Sequence, residues 1–266
     1  MESLRKKAAG LLKSGDIKVV IGYGEGSNRR VRPVFVSTED AVNQLIYDER
    51  CVQNLAVYLY KKEIVRLGKP AVVANISTLR AIIRLAAEKQ LTGDSLIALA
   101  IDKEEVTELK SFDAIESYLA EHAPQLSEED QILLEKLEAM PLAERWTFWQ
   151  NEMAACIRCY ACRQTCPLCY CVRCTVEMNQ PQWIPVEASP LGNLEWHVMR
   201  AMHLAGRCIE CGQCGEACPV GIPIHLLPIH LAEESYKSYG SKTGMSRAEG
   251  CEMATFLPGD KENFIG

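Results

Sequence analysis

The sequence predicts an α/β unit over residues 1–101 and a mainly helical unit over 141–266, joined by an acidic helical connector over 102–140. Three observations predict it. Short apolar runs alternate with helical patterns in the first part. The middle segment holds twelve acidic against three basic residues, a charge of −9 that leaves +3 on the rest of the chain. Of 13 cysteines, only Cys51 precedes residue 156, and eleven fall between Cys156 and Cys218.

The elements follow in order. "MESLRKKAAGLLKSGD" is an amphipathic helix with Arg5, Lys6 and Lys7 on its polar side. "DIKVVIGY" (Asp16–Tyr23) and "VRPVFVS" (Val31–Ser37) are strands around the turn "GEGSN". Thr38 is positioned to cap a helix beginning "EDAVNQLI", whose first-turn acids favour its N-terminus. "PAVVANI" (Pro70–Ile76) is an apolar strand, Ser77 caps the helix "TLRAIIRLAAEKQL", and "SLIALAI" (Ser95–Ile101) is a second apolar strand. Apolar strands without alternation imply a parallel sheet covered on both faces. In the connector, "LSEEDQILLEKLEAM" reads as a capped helix with apolar Ile132, Leu133, Leu137 and Met140. A solvated helix is the plain reading of its charge, and a docking face for a basic partner is the sharper one. Beyond Pro141, "PLAERWTFWQNEMAA" and "LGNLEWHVMRAMHLAG", the latter with Asn193 as cap and Gly206 as stop, are helices leading into two cysteine clusters.

Composition narrows the function. At 266 residues, with 48% hydrophobic and 24% charged residues, the chain can build one or two globular cores. A net charge of −6 argues against nucleic acid, which needs a basic face. No apolar run approaches the ~20 residues that span a bilayer, and no secretion signal is evident, so a soluble cytoplasmic protein is expected. In a reducing compartment, clustered cysteines mean metal rather than disulfides.

Cys156, Cys159, Cys162 and Cys166, with Pro167 following, spell C-x2-C-x2-C-x3-C-P; Cys208, Cys211, Cys214 and Cys218, with Pro219, spell it again. Thiolates two residues apart can take three corners of a cubane while loop amides point at its sulfides, and the fourth cysteine of such a run ligates the other cluster. The spacing therefore predicts a bacterial-type dicluster ferredoxin domain with two [4Fe–4S] clusters in crossed ligation. Cys156, Cys159, Cys162 and Cys218 hold the first; Cys208, Cys211, Cys214 and Cys166 hold the second. Zinc has no use for two proline-terminated triads, and the chemistry that follows is one-electron transfer.

Cys169, Cys171 and Cys174, in "CYCVRC", exceed that scheme. Three readings stand. They form a third iron–sulfur or zinc centre, with a fourth ligand from Cys51, Cys251, a histidine or a partner chain; or one replaces Cys166; or they are free thiols beside the clusters. Weaker signals are read plainly. "GYGEG" sits between strands and is a hairpin rather than a phosphate loop, and Arg29, Arg30 and Arg32 are an exposed strand end. His197, His203, His225 and His230 flank the second motif and could hydrogen-bond near a cluster. Cys51 is a core residue on a helix.

"CIRCYACRQTCPLCYC" followed by "CIECGQCGEACPVGIPI" resembles the iron–sulfur region of the β subunits of deazaflavin-coenzyme-dependent formate dehydrogenases and the related hydrogenase subunits, from about Trp146 to Leu231. Residues 16–101 resemble more loosely the start of that family's flavin domain, through the hairpin and "KPAVVANISTLRAIIRLA". The resemblance implies FAD in the first unit. Two departures oppose it: the loop "ANIST" lacks the family's cysteine, and the acidic connector arrives where the flavin domain should continue. A shortened relative that keeps the clusters and has lost the flavin site is the expectation. It would be an electron-relay subunit of an anaerobic complex with formate-dehydrogenase-, hydrogenase- or heterodisulfide-reductase-like partners. The alternatives are an FAD-containing subunit exchanging hydride with a soluble coenzyme, and a zinc-stabilised interaction module.

Overall fold

The computed structural model describes residues 1–248 except 94, 103, 104, 123, 125 and 179; Cys251 lies outside the described residues. Its centre is a five-stranded mixed sheet in the order β2-β1-β3-β4-β5, made of β1 (Val19–Glu25), β2 (Val31–Val36), β3 (Pro70–Ala74), β4 (Ile97–Asp102) and β5 (Glu105–Leu109). β1 with β3 and β3 with β4 are parallel, while the outer strands β2 and β5 pair antiparallel. β3 and the first four residues of β4 are buried without alternation, as strands covered on both faces must be. β2 alternates instead, and as an edge strand it tolerates Pro33.

The helices α1 (Glu2–Ser14), α2 (Lys62–Val65), α3 (Ile76–Ala87) and α4 (Phe112–Glu121) accompany this sheet. Four local readings are corrected. The cap of α3 is Asn75, whose side chain accepts from the Thr78 amide, not Ser77. No helix starts at Thr38; Asp40–Gln44 is a 3-10 turn without a side-chain cap. Residues 105–109, read as connector helix, form the strand β5. Cys51 is buried as expected, but in a turn, where its sulfur accepts from the Asp48 amide. Gly22 and Gly24 of "GYGEG" belong to β1 itself: a Cβ on Gly22 would lie 2.5 Å from Leu45, and one on Gly24 2.6 Å from Val34. They allow close packing rather than cradling a ligand. Arg29, Arg30 and Arg32 are exposed.

Helix α5 (Glu128–Ala139) starts at Ser127 as expected, its hydroxyl accepting from the Asp130 amide. It is docked rather than free. Leu134 and Leu137 pack against Leu226 and Ile229 of α10 (Leu226–Tyr239), whereas Ile132, expected on the apolar face, is 59% exposed. The cysteine-bearing part contributes α6 (Leu142–Ala154), α7 (Ala161–Gln164), α8 (Pro190–His203), α9 (Gln213–Glu216) and α10. The cap of α8 is Ser189, followed by proline at the first helical position, not Asn193. No described helix is long and apolar enough to cross a membrane.

Two arginine clusters fasten this part to α3. Arg80, 2% exposed, donates to the carbonyls of Ile209 and Thr243 at 2.8 Å each and pairs with Glu210 at 2.7 Å. Glu88, just past α3, takes both arms of Arg207 at 2.6 Å and the Nε of Arg84 at 2.8 Å. Burial alone would raise the Glu88 carboxyl, but Arg207 and Arg84 hold it below the usual carboxylate range.

Arg80→Met should cost about 3–5 kcal/mol in anaerobic urea unfolding, because it strands a buried carboxylate, and adding Glu210→Gln should recover part of that. The Glu88 contribution is present above the ordinary carboxylate pKa of about 4.3 and is lost as pH falls through its lowered folded value. The stability gap between wild type and Glu88→Gln should therefore be widest near neutrality and close below about pH 4, read from denaturation midpoints at each pH.

Candidate metal centre

The two motif loops share one backbone. In the first, Arg158 (φ 57°) and Tyr160 (φ 60°) are left-handed; in the second, the corresponding Glu210 (φ 58°) and Gly212 (φ 70°) are. Each loop then enters a four-residue helix, α7 or α9, and these two pack against each other. Left-handed residues turn successive amides inward, an arrangement suited to sulfur and anions. The Arg158 amide donates to the Cys156 sulfur at 3.4 Å, and the Glu210 amide donates to the Cys208 sulfur at 3.3 Å. A third such bond runs from Ile222 to Cys218 at 3.3 Å.

Two small, largely enclosed cavities sit against these loops. One is lined by Cys156, Cys159, Cys162 and Cys218, with Trp196, His197, Ile222 and Ile224 closing it. The other is lined by Cys166, Cys208, Cys211 and Cys214, with Leu168, Leu204, His225 and Ile229. Each cavity thus takes three cysteines from one motif and the last cysteine of the other.

The lining fits an anionic metal–sulfur group. Arg158 Nε and Nη1 and Trp196 Nε1 are donors buried at the first cavity with no hydrogen-bond partner. Buried donors are rarely left so. A lone zinc ion would draw its thiolates to within ~3.8 Å of one another, given tetrahedral Zn–S bonds of about 2.3 Å. Among the described residues the only trio of ligand atoms within 4.8 Å is Glu138, His230 and Glu233. The thiols surround a volume instead of converging on a point. Burial pushes the Cys162 thiol up to about 12 and the Cys211 thiol up to about 11, with neighbouring thiols adding to both. These groups ionise only when a bound cation draws the proton off.

The surplus cysteines separate. Cys169 is partly buried, and its backbone amide donates to the Cys166 carbonyl at 3.2 Å. Cys171 is exposed, and its carbonyl accepts from Arg163 at 3.0 Å. Cys174 packs on the side of the first cavity, with Cys156, Cys162 and Cys218. The three are not brought together within single-ion distance.

The histidines also divide. His197 Nε2 lies 3.3 Å from the Cys156 sulfur, and burial holds the ring neutral, its pKa lowered to about 3. His225 lines the second cavity and bonds Asp130 of α5 at 2.7 Å. His230 faces Glu138, and His203 is the last residue of α8, its carbonyl accepting from Arg207. Residues missed in the sequence lie along α8. Asn193 donates to the carbonyls of Met153 and Cys156 at 3.1 and 2.8 Å, and Arg200 donates to that of Cys162 at 3.0 Å. Asn193, His197 and Arg200 recur at helical spacing and are all buried. That polar stripe was the available signal.

An open cleft of about 1040 Å³ separates the C-terminal end of β3 from the second loop, lined by Asn75, Ser77, Cys211 and Gly212 and by the carboxylates of Asp48, Glu49, Asp130, Glu210 and Glu216.

Comparison with known proteins agrees with this geometry. Residues 155–223 match the family described as 4Fe-4S dicluster domain. Over 88 residues, 33% of this chain and 22% of the relative, the sequence is 40% identical to the F420-dependent formate dehydrogenase subunit beta of Methanocaldococcus jannaschii. It is 31% identical over 108 residues, 41% of this chain and 26% of the relative, to the F420-dependent formate dehydrogenase 1 subunit beta of Methanococcus maripaludis. The matched region spans about a quarter of the length of these relatives. The chain thus carries a 4Fe-4S dicluster domain and resembles, in that region, the iron–sulfur β subunits of formate dehydrogenases.

Proposed function

We propose that this chain is a non-catalytic electron-relay subunit of a multi-subunit oxidoreductase, holding two [4Fe–4S] clusters in crossed ligation. Cys156, Cys159, Cys162 and Cys218 hold one; Cys208, Cys211, Cys214 and Cys166 hold the other. The observation that carries the reading is the pair of cavities, each lined by three cysteines of one motif and the fourth of its partner. When bound, the clusters supply one-electron transfer at potentials set by their surroundings. The protein's part is to shield and bias them. Trp196, Ile222 and Ile224 exclude water from the first cavity, and His197 offers an uncharged donor to Cys156. Asn193 fixes the approach of the Cys156 loop by tying two carbonyls to α8. The partners this reading calls for are a flavoprotein or a metal-containing dehydrogenase subunit; support for a multi-subunit setting is that the relatives are named as β subunits.

A second reading, an FAD-bearing subunit, is favoured by one feature: the open cleft lies at the C-terminal end of β3, where α/β sheets place their ligands, beside Cys211. Its carboxylates oppose the diphosphate of a dinucleotide. Flavin bands in the absorbance of anaerobically purified protein would decide for FAD; a broad cluster absorbance alone decides for the relay.

Iron should be about 8 per chain. Cys218→Ala and Cys156→Ala should each lower it to about 4 and leave the same surviving EPR signal, while Cys208→Ala should leave the other. Joint replacement of Cys169, Cys171 and Cys174 by alanine should leave the iron count near 8; a count near 12 in the unmodified chain, lowered by that replacement, would require a third centre instead.

A further inference from the structure

Arg200 lies on α8 with 4% of its surface exposed, and among the described residues no carboxylate lies within ion-pairing distance of it. An unpaired buried guanidinium costs several kcal/mol, so something must offset it. Its one neutral partner is the Cys162 carbonyl at 3.0 Å, and its Nε has no partner. What surrounds it otherwise is sulfur. The groups that act on its charge are the cysteines Cys169, Cys214, Cys166 and Cys162, and Cys162 and Cys214 belong to one packed cluster. Cys162 belongs to the first cavity, and Cys214 and Cys166 to the second. Arg158, the arginine that lines the first cavity, has its guanidinium over the Trp196 ring and an arm on the Pro185 carbonyl. Arg80 and Arg207, on the side of the second loop, are neutralised by Glu210 and Glu88.

We propose that Arg200 is the counter-ion shared by both clusters, and that its charge holds both reduction potentials up. The inference rests on the two-cluster reading above. A cubane with four thiolates is already a dianion when oxidised, and accepting an electron adds one more negative charge. Two such centres side by side in a dry interior oppose each other's reduction, and a fixed cation between them offsets charge on both. Arginine suits the position because it stays charged when buried and its planar fork presents several donors at once. Cys169 gains a role from the same geometry. It is the thiol that completes the sulfur lining around the guanidinium.

The test uses the full chain purified without oxygen, with iron counted and both midpoints read by EPR-monitored redox titration. Arg200→Met should lower the reduction equilibrium constant of both centres at least tenfold, a negative displacement of 59 mV or more in each midpoint. Arg200→Lys, which keeps the charge, should hold both near the wild type. A shift in one centre only, or in neither, overturns the shared counter-ion. Should Arg200→Met and Arg200→Gln lose iron while Arg200→Lys keeps it, the charge is required and the proposal stands. Iron loss in all three variants, lysine included, overturns it, since shape rather than charge would then be the requirement. A wild type with iron for fewer than two cubanes would sink the cluster reading itself, a result separable from any midpoint shift.

Discussion

The arrangement of the cysteines depends on a constraint outside the cysteine-rich region, the need to satisfy the buried guanidinium of Arg80. A guanidinium has five N–H donors and cannot shed its proton. Here it sits on α3, in the α/β part, and finds acceptors only by drawing in Ile209, Glu210 and Thr243. Ile209 and Glu210 are the two residues between Cys208 and Cys211. The second motif loop is therefore pinned to the sheet by the residues that space its thiols. Gly244 permits the same approach from the far end: a Cβ there would meet the Arg80 carbonyl oxygen at 2.5 Å. Sheet and metal loops are one mechanical unit, and Glu88 with Arg207 repeats the tie at the other end of α3.

The acidic segment belongs to this unit as well. Its charge pattern suggests a solvated spacer, yet β5 closes the sheet, α4 packs on α3, and α5 reaches the second cavity through Asp130 and His225. Of the segment's described carboxylates, Asp130 lines the cleft beside Cys211, joined there by Asp48, Glu49, Glu210 and Glu216 from outside the segment. The cysteine loops thus meet solvent through surfaces of different chemistry. At the first cavity, exposed Ile157 and Val220 are apolar, while the cleft at the second is acidic.

Much of the fold was legible because periodicity carries it. β1 to β4 are apolar runs bounded by turn residues, and α1, α3, α5, α6 and α8 carry helical spacing. β5 was not legible: "EVTEL" holds two acids in five residues, and its strand character comes from the hydrogen bonds β4 offers, a non-local cause. The misplaced caps have a simpler origin. Where Asn75 and Ser77, or Ser189 and Asn193, lie within four residues, composition does not choose between them; Pro190 was the clue to Ser189. The eight motif cysteines were legible because metal chemistry fixes their spacing. Arg80 and the pairing of His225 with Asp130 were not, since a charge whose partner is 95 or 130 residues away leaves no local pattern.

The duplicated loops carry one last consequence. At the second left-handed position, one copy has glycine, which adopts that backbone freely, and the other has Tyr160, which bears roughly 1 kcal/mol for it. What tyrosine gains there is an edge-on contact with Trp196, ring centres 5.4 Å apart, over the first cavity. Two copies of one loop have thus diverged in opposite senses, one relaxed and bare, the other strained and roofed by an aromatic pair. Because the loop backbone is held constant between them, each loop serves as the other's internal reference, and a difference in how the two sites meet solvent traces to side chains and to the elements packed around each loop.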